Sequence, residues 1–199
     1  MIPLPCLASS RLESLLRATL LGYCLSLQAL WEKQLRGYLC QCVIYLKRDP
    51  VVSRQIEKAN WENLNALFKD LRGISLTDFV EYPLLNQLHL LGNVCRHGPG
   101  DSVHRLASIH PELWVPDPEP AFPVPLPPRP RVEFVRAAEN IRVDLPRLQL
   151  LAAAIDSFWS ETVYIYNESI GGKDDSLERF LIPERHKRAG RGCPWDPPK

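Results

Sequence analysis

The sequence contains no stretch of about 18 uninterrupted apolar residues, the length a membrane-spanning helix needs, so no span through a bilayer is expected. Charge of one sign is also missing, since 24 Lys and Arg stand against 23 Asp and Glu. That balance excludes a field that would draw the whole chain to nucleic acid or anionic lipid, and any such binding has to come from a local patch. There is no Gly-rich phosphate loop, no H-E-x-x-H and no G-x-S-x-G, which removes the common signatures of nucleotide, zinc-protease and serine-hydrolase chemistry.

Paired cysteines at zinc spacing are absent as well. The six are scattered at Cys6, Cys24, Cys40, Cys42, Cys95 and Cys193. Cys40 and Cys42 form a C-x-C pair, but on a helix residues i and i+2 point to different faces and do not clasp one metal. They read as reduced, small apolar side chains, and neither a metal nor a cofactor is expected. The leucine-rich opening, MIPLPCLASSRLESLLRATLLGYCLSL, lacks the basic n-region of an export signal and is interrupted by Arg11, Glu13 and Arg17. The cytoplasm is therefore the default expectation.

What is present is helical period. From Ser10 to Leu46 the apolar residues recur at three- and four-residue steps, with a break expected near Gly22 or Gly37 and a stop at Asp49-Pro50. A second helix is expected over about Val52 to Leu71, with Gly73 capping its end. Ser75-Leu-Thr-Asp78 has the form of a capping box for a helix running to Arg96, kinked at Pro83 or starting near it. A short helix follows over Ser102 to Ile109, and Asp101-Ser102 is expected to cap it. Trp31, Trp61 and Trp159 have apolar neighbours at helical spacing and read as core or interface anchors rather than base-stacking platforms.

Between Pro111 and Pro130, nine of twenty residues are proline, a composition that favours extended polyproline II and rules out a helix. Asp144-Leu-Pro146 then opens what reads as the last helix, to about Tyr166. From Pro183 onward, five Lys and Arg face two acids among glycines and prolines, so a disordered tail is expected. Its Arg185, Lys187, Arg188 and Arg191 either meet nucleic-acid phosphates or keep the terminus solvated. The expected fold is all-α, an up-and-down helical bundle with a proline-rich strap and a disordered C-terminal tail. Its divisions are a bundle core over 1–115, a proline-rich linker or strap over 116–131, a C-terminal helix packing on the bundle over 132–170 and a flexible basic tail over 171–199.

Chemistry concentrates in NVCRHGPGDSVH, residues 93–104. On a wheel of about 100° per residue, Asn86, His89, Asn93, Arg96 and His97 share one arc and the leucines take the other. The polar arc carries no Glu or Lys, although those residues favour helix and Asn and His do not. Asn and His supply neutral donors and acceptors, His titrates near neutrality, and Arg is a permanent forked cation, a set suited to phosphate or carboxylate. Cleaving RNA without a metal needs a base for the ribose 2′-hydroxyl and a cation for the phosphate. Arg96 is the candidate clamp and His104 or His97 the candidate base. Asn93, His89, Asn86 and Asp101 are candidate binding residues. Equally open is a structural role, with Asn93 and Arg96 hydrogen-bonding the helix end.

An all-helical chain with a long helix ending in Arg, a polar residue and a later His resembles the HEPN superfamily, whose members include RNases of toxin and antiviral defence systems. Arg96-His97 matches the first two places of its signature. Seven residues separate Arg96 from His104, where the family has four to six. Arg105-Leu-Ala-Ser-Ile-His110 has a permitted spacing, with Leu106 where a polar residue is expected. The resemblance covers about residues 55–115. It implies a homodimer whose two motifs face each other across a cleft that takes RNA, with Arg96 on the scissile phosphate, His104 as general base or acid, and Asn93 and His97 orienting them. A second reading is a non-catalytic helical module that binds a partner protein or a nucleotide.

Overall fold

The computed structural model describes residues 4–98, 100–114 and 140–189, with side chains from residue 12 onward. Among these the chain is an all-α helical bundle: α1 Leu4–Tyr45, α2 Pro50–Lys58, α3 Trp61–Arg72, α4 Tyr82–His97, α5 Asp101–Ile109, α6 Leu145–Glu168 and α7 Asp175–Arg188. Short 3-10 turns occupy Leu76–Asp78 and Pro111–Leu113. The proline-rich strap lies outside the described residues. None of the helices described is long and apolar enough to cross a membrane.

The chain forms two compact units, Met1–Leu30 with Asn86–Leu151, and Trp31–Leu85 with Ala152–Lys199. The core of the second is aromatic. Phe158 is fully buried and meets Trp31, Phe68, Phe79 and Trp159 at ring-centroid distances of 6.1, 6.3, 4.8 and 5.0 Å, mostly tilted or edge-on, the arrangements that ring quadrupoles favour. Trp61 closes on Trp31 at 5.3 Å. All three tryptophans named from the sequence thus pack in this core. In the first unit the buried set includes Cys24, Leu88, Leu91, Val94, Val103, Leu106, Trp114 and Ile141, joined by two wholly buried amides, Gln28 and Gln87.

Several expected boundaries move. Helix α1 runs unbroken for 42 residues, through both Gly22 and Gly37. Each glycine costs about 1 kcal/mol against alanine, but both are exposed, and the buried residues Trp31, Leu35 and Leu39 hold the helical phase beyond Gly22. The expected second helix is two. Asn60 breaks it by accepting from Asn63 N at 2.9 Å as the cap of α3. Arg36 of α1 donates to the carbonyls of Ile56 and Ala59 at the end of α2. Gly73 does cap α3, at φ 73°.

The Ser75–Asp78 capping box forms, but it opens only the 3-10 turn, and α4 begins at Tyr82 with Pro83 in its first turn. There the missing proline N–H costs nothing. At α5 the N-cap is Gly100, with no side-chain cap bond, so Asp101 is a first-turn residue rather than the cap.

The largest correction is at the C-terminus. Asp144 caps α6 as expected, its Oδ1 accepting from Arg147 N at 2.8 Å, but α6 is not the last helix. Asp175–Arg188 forms α7, capped by Asp174 and containing Pro183. Its cations are taken up: Arg185 by Glu168 and Glu178, and Arg188 by Glu161 at 2.6 Å and Glu184 at 2.6 Å. Arg188 also lies 4.1 Å from the Tyr164 ring centroid. Ion pairs to α6 and the burial of Leu181 tie down as helix a segment whose composition reads as solvated tail. Arg185, Lys187 and Arg188 each pair with carboxylates; Arg191 lies outside the described residues.

Candidate functional site

The polar arc of α4 lies in the first unit and is graded along the helix. Asn86 is half-buried, His89 is buried at 9% exposure, Asn93 is half-buried, and Arg96 and His97 are exposed. The expectation of one wet flank is corrected at His89. Its Nε2 lies 2.9 Å from Asn93 Nδ2, one helical turn on, and with the amide N–H as donor the ring nitrogen accepts. These two side chains bond each other inside the bundle and do not present a ligand with two free polar groups.

Arg96 has a different partner. Its Nη2 donates to Oε1 of Gln28, a residue of α1 with no exposed surface. A carboxylate there would neutralise the guanidinium; a neutral amide oxygen holds it and leaves its charge intact. The contact is possible because the helices approach closely at Gly92, where a Cβ would come within 2.8 Å of Gln28 Cγ. Two turns earlier on α1, the carbonyl of Leu21 lies 3.7 Å from Cys95 Sγ of α4. Burial, and secondarily the neighbouring Cys95 thiol, pushes the Cys24 thiol up to about 12.

Gly98, at φ 70°, ends α4 with its N–H on Val94 O at 2.9 Å. Asp101 and His104 follow on the first turn of α5, both exposed. Among the described residues, the side chains of His97 and His104 form no hydrogen bond or ion pair with each other or with Arg96. The structure thus brings His89 to Asn93, places Arg96 on Gln28, and leaves His97, Asp101 and His104 as exposed groups near Gly98 and Gly100.

In the alternative pair, Arg105 is exposed and His110 is half-buried. Leu106 is fully buried, and His110 is held 3.1 Å from Glu112, which also takes Arg147 at 2.7 Å. Burial opposes ionisation of Glu112, but hydrogen bonds from its own backbone N–H and from His110, with the charges of His110 and Arg147, hold its carboxyl below the usual range. Beside it a cleft of about 880 Å³ is lined by Leu16, Arg17, Leu20, Leu113, Arg142 and Leu150 among others, and it includes none of the α4 site residues. Among the described residues, no group of three or more His, Cys, Asp or Glu is placed to hold a metal ion.

Gln28 is the residue that sequence reasoning misses. Its signal is a polar amide in the helical series Cys24, Gln28, Trp31, Leu35, at the spacing of the buried stripe. Compared with known proteins, the chain matches no family model, no curated protein and no solved structure.

Proposed function

We propose that the chain is a HEPN-like, metal-independent endoribonuclease of a toxin or defence system, with its site at the α4–α5 turn. The observation that supports this reading is the tethering of an exposed, un-neutralised Arg96 by the buried Gln28 amide, beside two exposed histidines. A pre-positioned guanidinium suits the charge that grows on a phosphate during attack. In the reaction, the base removes the ribose 2′-hydroxyl proton, the 2′-oxygen bonds to the adjacent phosphorus, and the 5′-oxygen leaves with a proton from the acid. The products are a 2′,3′-cyclic phosphate and a 5′-hydroxyl. Arg96 binds the phosphate, His104 serves as base or acid, and His97 orients the nucleotide.

A second reading is a non-catalytic module that binds a partner protein or nucleotide. It is favoured by the absence of any bond between Arg96 and His104 and by the hydrogen bond that engages His89 with Asn93. One experiment separates the two. Single-stranded RNA is incubated without divalent metal with the parent chain, Arg96→Ala and His104→Ala, and cleavage and anisotropy are read together. Cleavage lost in both variants supports the nuclease. Binding lost in Arg96→Ala with no cleavage by any of the three supports the module, and no RNA binding by the parent chain removes RNA from both readings.

A further inference from the structure

The solvent side of α1 is apolar over five turns. Leu12, Leu15, Leu16, Tyr23 and Leu30 are exposed at 68, 65, 58, 58 and 53%. Leu12, Leu16, Thr19, Tyr23, Ser26 and Leu30 alternate steps of four and three residues, a heptad seam that stays within an arc of about 80° at 100° per residue. The two hydroxyls in the seam are turned into their own helix: Thr19 Oγ1 donates to Leu15 O and Ser26 Oγ to Gly22 O, each at 2.9 Å. They present methyl and methylene surface outward.

Charge is missing from this side. Between Leu12 and Leu30 the ionisable residues with charge at neutral pH are Glu13 and Arg17, and both lie beside the seam on the flank that, with Leu16, lines the cleft beside Leu113. The outward residues between the leucines are Ala18, Gly22 and Ala29. Exposed helix faces that need only water carry Glu, Lys or Gln; this one resembles the seam of a helix pair.

We propose that this face of α1 is the interface of a homodimer in which α1 pairs antiparallel with α1 of a second copy, centred near Leu21. The register is self-complementary in volume, setting Leu12 against Leu30, Leu16 against Ser26 and Tyr23 against Thr19. Leucine meets leucine at the two ends, a large side chain meets a small one in the other pairs, and the two helix dipoles oppose. The area is of the right order. Five side chains more than half exposed, each on a residue of about 200 Å², supply roughly 600 Å² per copy before the seam's Thr, Ser and Ala are counted, against about 800 Å² per partner in a standard interface. The absence of charge fits a copy of itself, because a pairing about a two-fold axis meets no repulsion. This interface does not depend on the nuclease reading.

The test is sedimentation equilibrium of the full chain with far-ultraviolet circular dichroism as a check on folding. The parent sediments as two chains. Tyr23→Glu, and independently Thr19→Lys at a position whose side chain is exposed, raise the dissociation constant about thirtyfold or more at unchanged helicity, the effect of truncating a central interface residue. Val80→Lys, at a 71% exposed position outside the seam, leaves the dimer intact. The double variant Leu16→Lys with Ser26→Glu sediments as two chains, whereas Leu16→Lys with Ser26→Lys does not, because the antiparallel register pairs residue 16 with residue 26 of the other copy. A monomeric parent, or a dimer indifferent to residues 19 and 23, overturns the interface, and dissociation of both double variants overturns the register. Parent monomers that float with phosphatidylcholine–phosphatidylglycerol vesicles, and lose flotation in Tyr23→Glu, make the face a lipid-binding one and overturn the proposal.

Discussion

Gly92 on α4 and Gln28 on α1 are packed so closely that a Cβ at position 92 would stand 2.8 Å from Gln28 Cγ and 2.9 Å from its Oε1. Gln28 has no exposed surface, so its side chain has no open space to withdraw into. Gly92→Ala gains about 1 kcal/mol of helix propensity and meets an overpacking cost of about 1–3 kcal/mol. The expected outcome is a net loss of about 1 kcal/mol, read as a lower urea midpoint at unchanged slope. A gain in stability would show that the helices separate at this point without cost.

Glu168 is the centre of the ion cluster that joins α7 to α6. Its side chain is 2% exposed, and it receives Arg185, Lys173 at 3.5 Å and the Tyr164 hydroxyl at 3.3 Å. Hydrogen bonding from Arg185, opposed by burial and helped by the charges of Arg185 and Lys173, holds the carboxyl below its ordinary range. A carboxylate whose folded pKa is depressed contributes stability that is complete above the unfolded value, about 4.3, and is lost as pH falls through the folded one. Thermal unfolding followed from neutral pH to below 4 should therefore show a loss on the acid side that is smaller in Glu168→Gln. Equal acid slopes would remove Glu168 from the linkage.

If α7 is part of the fold rather than an appendage, then its one fully buried residue matters. Leu181 has no exposed surface and belongs to the aromatic core cluster. Leu181→Ala is expected to cost about 2–5 kcal/mol, the range for a buried leucine, measured by urea unfolding. Exposed Ile182→Ala next to it should cost much less.

How far these features can be read from sequence depends on the range of the interactions that decide them. Helix type and the aromatic anchors follow from local period, and so do Gly73 and the Asp144 cap. The boundary at Ala59–Asn60 depends on Arg36, more than twenty residues away, reaching the carbonyls that end α2. Helix α7 depends on Glu161 and Glu168 meeting Arg188 and Arg185, pairs 27 and 17 residues apart. At the site, the wheel places Asn86, His89, Asn93, Arg96 and His97 together, as the helix does. Which of them faces solvent is set by what packs on the helix, and a wheel carries no such information; hence His89 is buried and Gln28 enters unannounced.

The raised Cys24 thiol gives a chemical readout of the same helix contact. Pushed up to about 12 by burial first and by Cys95 second, it carries almost no thiolate at pH 8. Native protein treated with a disulfide reagent at that pH should leave Cys24 unmodified, as mapped by mass spectrometry, and urea should release it. Gly92→Ala, which disturbs the neighbouring turn, should speed its modification.

Gln28 also permits a test of whether the charge on Arg96, rather than its shape, matters. Gln28→Glu is nearly isosteric and places a carboxylate where the amide oxygen now meets the guanidinium. An ion pair replaces a neutral tether, so Arg96 stays in position but its charge is taken up before any phosphate arrives. If the site binds the RNA backbone, each phosphate-neutralising cation contributes about 0.7 to the slope of log K against log salt for a single strand. Gln28→Glu should then lower RNA affinity and reduce that slope by about the same amount as Arg96→Ala does, while Gln28→Met, which removes the tether without adding charge, should lower affinity and keep the slope. An unchanged slope in Gln28→Glu would mean that Arg96 meets no phosphate, and its bond to Gln28 would then be a helix-to-helix contact and nothing more.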